Sequence, residues 1–171
     1  MPGQSRSGIL GLYSAGVTVH SDLSVAHVQL DFPEVCTIPV TVAVVAADLS
    51  NPACPVPIPG DYLSPPVAYD LSVTEPGQYD FALALSGVCV SEKAFLLVTF
   101  VTGGDCGSWP GLMIDGAYCG CIAYNAWPGS GDPMDLCGAL PGSPVMYVDG
   151  ACCSVVPTLE NSWGVLKTLY R

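Results

Sequence analysis

Nine cysteines, two histidines and fifteen acidic side chains are the residues of this chain that can do chemistry. Seven of the cysteines follow residue 88: Cys89, Cys106, Cys119, Cys121, Cys137, Cys152 and Cys153. Zinc favours Cys-x2-Cys pairs set a dozen or more residues apart. The close pairs here are Cys119-Gly120-Cys121 and the adjacent Cys152-Cys153, and neither has that spacing. Disulfides made in an oxidising compartment fit better. The candidates are Cys36, Cys54, Cys106, Cys119, Cys121, Cys152 and Cys153. Cys36 and Cys54 flank a strand and a Pro-rich turn and are placed to staple it. Cys106 is placed to reach Cys119 or Cys121 across Gly107-Ser108-Trp109-Pro110-Gly111. Adjacent cysteines rarely bond each other, so Cys152 and Cys153 point to different partners. Nine is odd, so at least one thiol stays free or pairs between molecules.

A Ser-His-Asp hydrolase would have to use His20 or His27. No Gly-x-Ser-x-Gly elbow accompanies them, and both lie on early strand candidates, where a hydrogen-bonded surface role is the plainer reading. Asp105, Asp115, Asp132, Asp135 and Asp149 fall in the loop-rich half. Calcium takes six to eight oxygen ligands, often carboxylates and carbonyls of a Gly-rich loop. A structural calcium is the one cofactor this pattern admits, with Asp132 and Asp135 as ligands; solvated loop carboxylates are the alternative. Trp109, Tyr118, Tyr124 and Trp127 crowd a Gly/Pro-rich stretch. Trp109, Tyr124, Asn125 and Trp127 together offer ring faces and an amide to a sugar. The competing reading has these aromatics capping a sandwich end and packing on disulfides.

The elements that must position these residues are short strands. Val25 to Phe32 alternates, with Ala26, Val28, Leu30 and Phe32 making an apolar face. Val40 to Ala47 is continuously apolar, as a central strand is. Asn51 to Pro66 holds six prolines and reads as a loop, because proline cannot donate to a ladder. Val67 to Val73 alternates again. Tyr79 to Leu85 and Ala94 to Val101 are the strongest strands, and the second is apolar on both faces, which places it under another layer. Ile9 to Tyr13, Val17 to His20 and Val145 to Val148 are further candidates. From Asn161 or Ser162 to Arg171 the pattern is a short helix, with Trp163 pinning it to the sandwich and Lys167 and Arg171 suiting its C-terminal dipole. These readings predict an all-β chain: an antiparallel β-sandwich, jelly-roll-like and disulfide-stapled, over residues 9–157. A flexible segment over residues 1–8 precedes it, and a C-terminal helical tail over residues 158–171 packs on it.

Composition limits function. Charged residues make up 11% of the chain and hydrophobic ones 50%, with a net charge of −11. Arg6, Lys93, Lys167 and Arg171 are the whole cationic inventory. A phosphate-binding groove cannot be built from four cations, so nucleic acid and anionic membrane surfaces are excluded as partners. No stretch approaches the roughly 18–20 apolar residues of a membrane span. Met1 to Gly8 lacks the basic-then-apolar pattern of a signal peptide. A surface so poor in charge must be partly apolar or small and polar, which points to contacts with partners.

The order of several segments is familiar. Tyr79-Asp80-Phe81, Ser86-Gly87 and Phe95 to Phe100 are followed by Cys106, Leu112-Met113-Ile114-Asp115, and Cys121 with Tyr124-Asn125. Asp135-Leu136 and Met146-Tyr147-Val148-Asp149 come next, and the chain closes on Trp163-Gly164, Lys167 and Tyr170-Arg171. This resembles secreted bacterial proteins of uncharacterised role, with a jelly-roll-like sandwich and a terminal Trp-Gly-x-x-Lys-x-x-Tyr-Arg signature. The resemblance covers about the last 100 residues, and Cys89 and Cys137 stand outside its pattern. It implies export and a β-sandwich and no activity. The sequence therefore leads to a non-enzymatic extracellular or cell-surface module, structural or adhesive, that self-associates or binds other surface proteins. A carbohydrate-binding module using the loop aromatics is the alternative, and a secreted hydrolase the third reading.

Overall fold

The computed structural model describes residues 6–12, 21–90, 93–100, 104–116, 120–126, 132–137, 140 and 142–152. Its longer strands come first: β1 (Arg6–Leu12), β2 (Ser21–Phe32), β3 (Thr37–Asp48), β4 (Val56–Tyr62), β5 (Val67–Ser72), β6 (Gly77–Val90) and β7 (Ala94–Phe100). Four two-residue strands and two longer ones follow: β8 (Gly111–Leu112), β9 (Ile114–Asp115), β10 (Ala123–Ala126), β11 (Met134–Asp135), β12 (Ser143–Pro144) and β13 (Met146–Cys152). No helix occurs among the described residues, so none there is long and apolar enough to cross a membrane. The expected tail helix over 158–171 and the strand over Val17 to His20 lie outside the described residues.

All strand pairings are antiparallel. Of the two main sheets, the larger runs β11-β10-β1-β7-β3-β4, with β5 also on β3, and the smaller runs β13-β2-β6, with β8 on β2; β9 and β12 form a separate two-stranded pair. The alternation read in β2 sets its place. Ala26, Val28, Leu30 and Phe32 are buried between the sheets, while His27 and Gln29 stand on the outer face. Ile38, Val40, Val42 and Val44 of β3 and Leu96, Val98 and Phe100 of β7 meet them from the other sheet. Each of these Val, Leu, Ile and Phe side chains contributes about 1.5–3 kcal/mol on burial. The chain is therefore an all-β antiparallel sandwich.

The double-sided strand has a physical reason. β7 is central, paired with β1 on one side and β3 on the other. Its even positions enter the main core, and Phe95 and Leu97 enter a second, smaller cluster with Val45 and Tyr124. Val56 packs on this cluster, bringing the Pro-rich segment over the outer face of the large sheet.

Two expectations are corrected here. The Pro-rich segment is not all loop, because Val56 to Tyr62 forms β4 despite Pro57 and Pro59. It can do so as an edge strand with a shift in register, a position in which proline is tolerated. The buried Ser64 repairs the irregularity: its hydroxyl accepts the amide of Val44 at 2.8 Å. The disulfide pairing also differs. Cys36 joins Cys106, and Cys54 joins Cys121, with sequence separations of 70 and 67. Cys36 and Cys54 lie beyond opposite ends of the twelve-residue β3, too far apart for one bridge, and each instead meets the loop that folds beside it. Cys89 and Cys137 are half-cystines as well.

Among the described residues, the small sheet also has an open side. The amide of Gln29 donates to Val145 O, and Gln29 O accepts from Met113 N, so Gln29 turns its backbone groups away from β6. By the two-residue period, Val28 and Leu30 turn theirs toward Phe81 and Tyr79. It follows that Gln78, Asp80 and Ala82 direct their N–H and C=O groups away from β2, along the sheet edge. Ala84 continues this row, and its carbonyl accepts the hydroxyl of Tyr69 at 2.6 Å.

Candidate functional site

The densest polar constellation among the described residues lies on the outer face of the small sheet. β2 is its middle strand and carries His27 opposite Tyr147 of β13 and Ala82 of β6. Two diagonal contacts leave the imidazole. Nδ1 is 3.2 Å from Asp80 Oδ1 on β6, and Nε2 is 3.2 Å from Asp149 Oδ2 on β13. The Tyr147 ring stacks on His27 at a centroid distance of 4.5 Å and an interplanar angle of 3°. Its hydroxyl donates to Asp80 Oδ2 at 3.2 Å, and Gln29 Nε2 donates to the same oxygen at 3.1 Å.

The electrostatics follow from this geometry. Desolvation pushes the Asp80 carboxyl up, but hydrogen bonds from Gln29, His27 and Tyr147, with the attraction of His27, outweigh it. The carboxyl is held below its ordinary range. The Tyr147 phenol is pushed up by desolvation first, then by the charge of Asp80, its hydrogen bond to Asp80 and the charge of Asp149. A neutral imidazole has one N–H and donates to one of the two carboxylates, whereas an imidazolium donates to both. In either state the cluster ties three strands together across their pleat. The two carboxylates lie at opposite ring nitrogens and do not converge on a point. Among the described residues no three His, Cys, Asp or Glu side chains gather as a metal ion requires.

The residues singled out from the sequence disperse. Tyr124 is 3% exposed, its ring edge-on to Phe95 and its hydroxyl donating to Pro55 O at 2.9 Å, so it offers no face to a sugar. Trp109 is half-buried against the main core, edge-on to Phe100, in a different cluster from Tyr124. Asn125 sits in β10 between Gly8 and Met134. Trp127, Cys119, Cys153 and His20 lie outside the described residues, as does the side chain of Cys152. Of these aromatics, the β10 tyrosine is drawn into the apolar cluster that β7 creates behind the large sheet.

The loop carboxylates act on backbone amides. Asp135 Oδ2 accepts from Cys121 N at 2.9 Å and Oδ1 from Cys137 N at 2.8 Å, while Asp132 is exposed. The first bond helps hold Cys121 in its left-handed conformation, φ 58°. Asp105 accepts the amide of Thr37 and returns its own amide to Thr37 O at 3.1 Å, beside the Cys36–Cys106 bridge. Gly104 is required for that approach, since a Cβ there would stand 2.2 Å from Thr37 O. Glu34 Oε1 accepts from Ser108 N at 2.7 Å.

The His27 cluster was only partly read beforehand. Alternation put His27 and Gln29 on one face of β2, but its partners come from strands 53 and 122 residues away. The period of two in Asp80, Ala82 and in Tyr147, Asp149 is the signal that matches them to that face.

No curated protein matches the chain, and no solved structure does. Residues 18–150 match the family model described as Domain of unknown function (DUF7451). That span takes in His27, Asp80, Tyr147 and Asp149 and well over half of the 171 residues, so the chain belongs to the DUF7451 family.

Proposed function

We propose that this chain is a non-enzymatic extracellular module, structural or adhesive, that works as a subunit of a surface assembly. The observation that carries the reading is where the reactive side chains are engaged. His27 is flanked by carboxylates at both nitrogens, and Glu34, Asp105 and Asp135 cap backbone amides. Chemistry that a hydrolase would hold ready for substrate is used here to join strands and loops. The long-range disulfides and the likeness to secreted bacterial sandwiches support export to an oxidising compartment. The test is particle size: light scattering of non-reduced protein after gel filtration, with electron micrographs of the same fraction. Regular oligomers or filaments are expected. A strictly monomeric protein at high concentration refutes the reading.

A carbohydrate-binding role is the second reading, and one observation favours it. Tyr147 is 41% exposed on a sheet face that also offers Gln29 and Asp149. Retention on insoluble polysaccharide, lost in Tyr147→Ala, is its expected signature; no retention on any glycan rejects it.

A further inference from the structure

We infer that the open edge of β6, centred on Asp80 to Ala82, is a docking strand for β6 of a second copy of this chain, paired antiparallel about a two-fold axis beside Phe81 and ending short of Ala84, whose carbonyl Tyr69 already holds. The inference rests on the assembly reading above and names its contact.

The argument begins with backbone direction. Gln78, Asp80 and Ala82 turn their N–H and C=O groups outward, all three residues are exposed, and among the described residues no strand lies beyond them. The row is about 17 Å long at strand rise. Edges of this kind are ordinarily guarded by lysine, proline, a bulge or a covering segment. Over Gly77–Val90 there is no proline and no basic residue, and Asp80 is the only charge. The shift in register with β2 lies farther along, between Leu23 and Val25, leaving Gln78 to Ala82 regular. The covering segment is local too: the Tyr69 hydroxyl reaches Ala84 O, and the Ser86 hydroxyl donates to Pro65 O at 3.2 Å.

A row of main-chain donors and acceptors is matched by another extended strand. The second copy provides one of the same length, with the same spacing and the same lack of charge. Outward-facing residues must pair with outward-facing residues, so the axis lies on a residue; at Tyr79 it would set Ala82 against Pro76, which has no N–H to donate, leaving Asp80 and Phe81 as the central positions. At Asp80 the two carboxylates face each other, which is unfavourable. At Phe81, Asp80 faces Ala82 of the second copy and Ala82 faces its Asp80, and the small sheets join into one continuous sheet. With −11 on each copy, long-range repulsion opposes the contact, so association strengthens with salt. A two-fold contact closes as a dimer, and a filament needs a further interface.

The test uses the full, non-reduced chain and four proteins: wild type, Ala82→Pro, Ala82→Asp and Ala82→Lys. Association is measured by sedimentation equilibrium at low and high salt, with far-UV circular dichroism as the folding control. Proline at 82 removes an outward N–H and leaves the ladder to β2 intact. Aspartate at 82 faces Asp80 of the second copy twice per dimer and should weaken association about tenfold, whereas lysine there should not weaken it. Loss of dimer in Ala82→Pro and Ala82→Asp, with Ala82→Lys retained and all three folded, supports the proposal. Association that is equal in all four overturns this contact and leaves the assembly reading standing. A monomeric wild type overturns both.

Discussion

Removing the Cys36–Cys106 bridge by the paired change Cys36→Ala and Cys106→Ala tests what holds the sandwich closed. The bridge spans a sequence separation of 70. Closing a loop of that length takes about 4 kcal/mol of chain entropy from the unfolded state. The Cys54–Cys121 bridge spans 67, so its entropic term differs by only about 0.04 kcal/mol. Chain entropy therefore predicts equal losses from the two bridges, although their surroundings differ. The Cys36 bridge is backed by the reciprocal Thr37–Asp105 hydrogen bonds and by Val73 N donating to Cys36 O at 3.0 Å. The Cys54 bridge is backed by Asp135 on Cys121 N, Tyr124 on Pro55 O, and Lys93 Nζ on Pro52 O at 2.6 Å. The two loops overlap, since Cys54 lies inside the first and Cys106 inside the second. Each bridge already shortens what the other closes, so about 4 kcal/mol is an upper value for either.

The assay is urea unfolding of the non-reduced variants by far-UV circular dichroism. Losses of about 2–4 kcal/mol are expected for each pair, with a larger m as the unfolded chain expands. At this chain length they lower Tm by about 2–4 °C per kcal/mol. A loss below about 1 kcal/mol for one pair and above about 4 kcal/mol for the other would refute the entropic account, because loop length cannot distinguish them.

Four further outcomes follow from named contacts. Phe95→Ala, in the cluster behind β7, should lose about 3–5 kcal/mol in the same urea assay; a loss near 1 would mean that the Pro-rich segment collapses into the space. Tyr124→Phe leaves the carbonyl of the buried Pro55 without its donor and should lose about 1–3 kcal/mol, with any glycan retention unchanged. Asp135→Ala should destabilise by about 2 kcal/mol through Cys121 N and Cys137 N, while a chelator leaves wild-type Tm unmoved; a chelator-induced drop would restore Asp135 as a calcium ligand. Asp80 is held below its ordinary 3.8, so its contribution is complete above that value and is lost as pH falls further. Tyr147, raised above 10.0, acts at the other limit: its contribution is complete below pH 10 and is lost as pH rises beyond. In Asp80→Asn the acid-side slope of Tm against pH should flatten below about pH 4, and an unchanged slope would remove Asp80 from the network.

What was legible beforehand divides by the distance over which a residue acts. The inward face of β2, the double-sided burial of β7 and the all-β sandwich follow from local alternation, and all three are found among the described residues. β4 was missed because proline density was read without regard to position in the sheet: Pro57 is unacceptable in a central ladder and acceptable at an edge. Disulfide partners are not legible in the sequence because bridges with separations of 70 and 67 join residues near in space and far along the chain. Of the two readings of Tyr124, sugar platform or packing residue, the structure gives packing, because β10 pairs with β1 and carries it onto the outer cluster beside β7. The His27 cluster needs three strands in register: the period of two gives the face of each residue, but not which strands are neighbours or how they align.

The same long-range logic bears on whether the His27 cluster is a site or a strut. A general base needs a lone pair facing a space where substrate can sit. His27 has a carboxylate at each nitrogen and a tyrosine ring parallel to it, on an open sheet face. The acceptors are used as well, with Asp80 Oδ2 taking both Gln29 and Tyr147. Groups so engaged would have to break contacts with two strands before meeting a ligand. Among the described residues, no strand lies beyond the outward backbone groups of Gln78, Asp80 and Ala82. A partner strand there replaces water one hydrogen bond at a time, and the His27 network, by fixing β6 against β2 and β13, keeps that row straight. On this argument the polar cluster and the open edge are parts of one device, and weakening the first with Asp80→Asn should weaken pairing at the second without removing it.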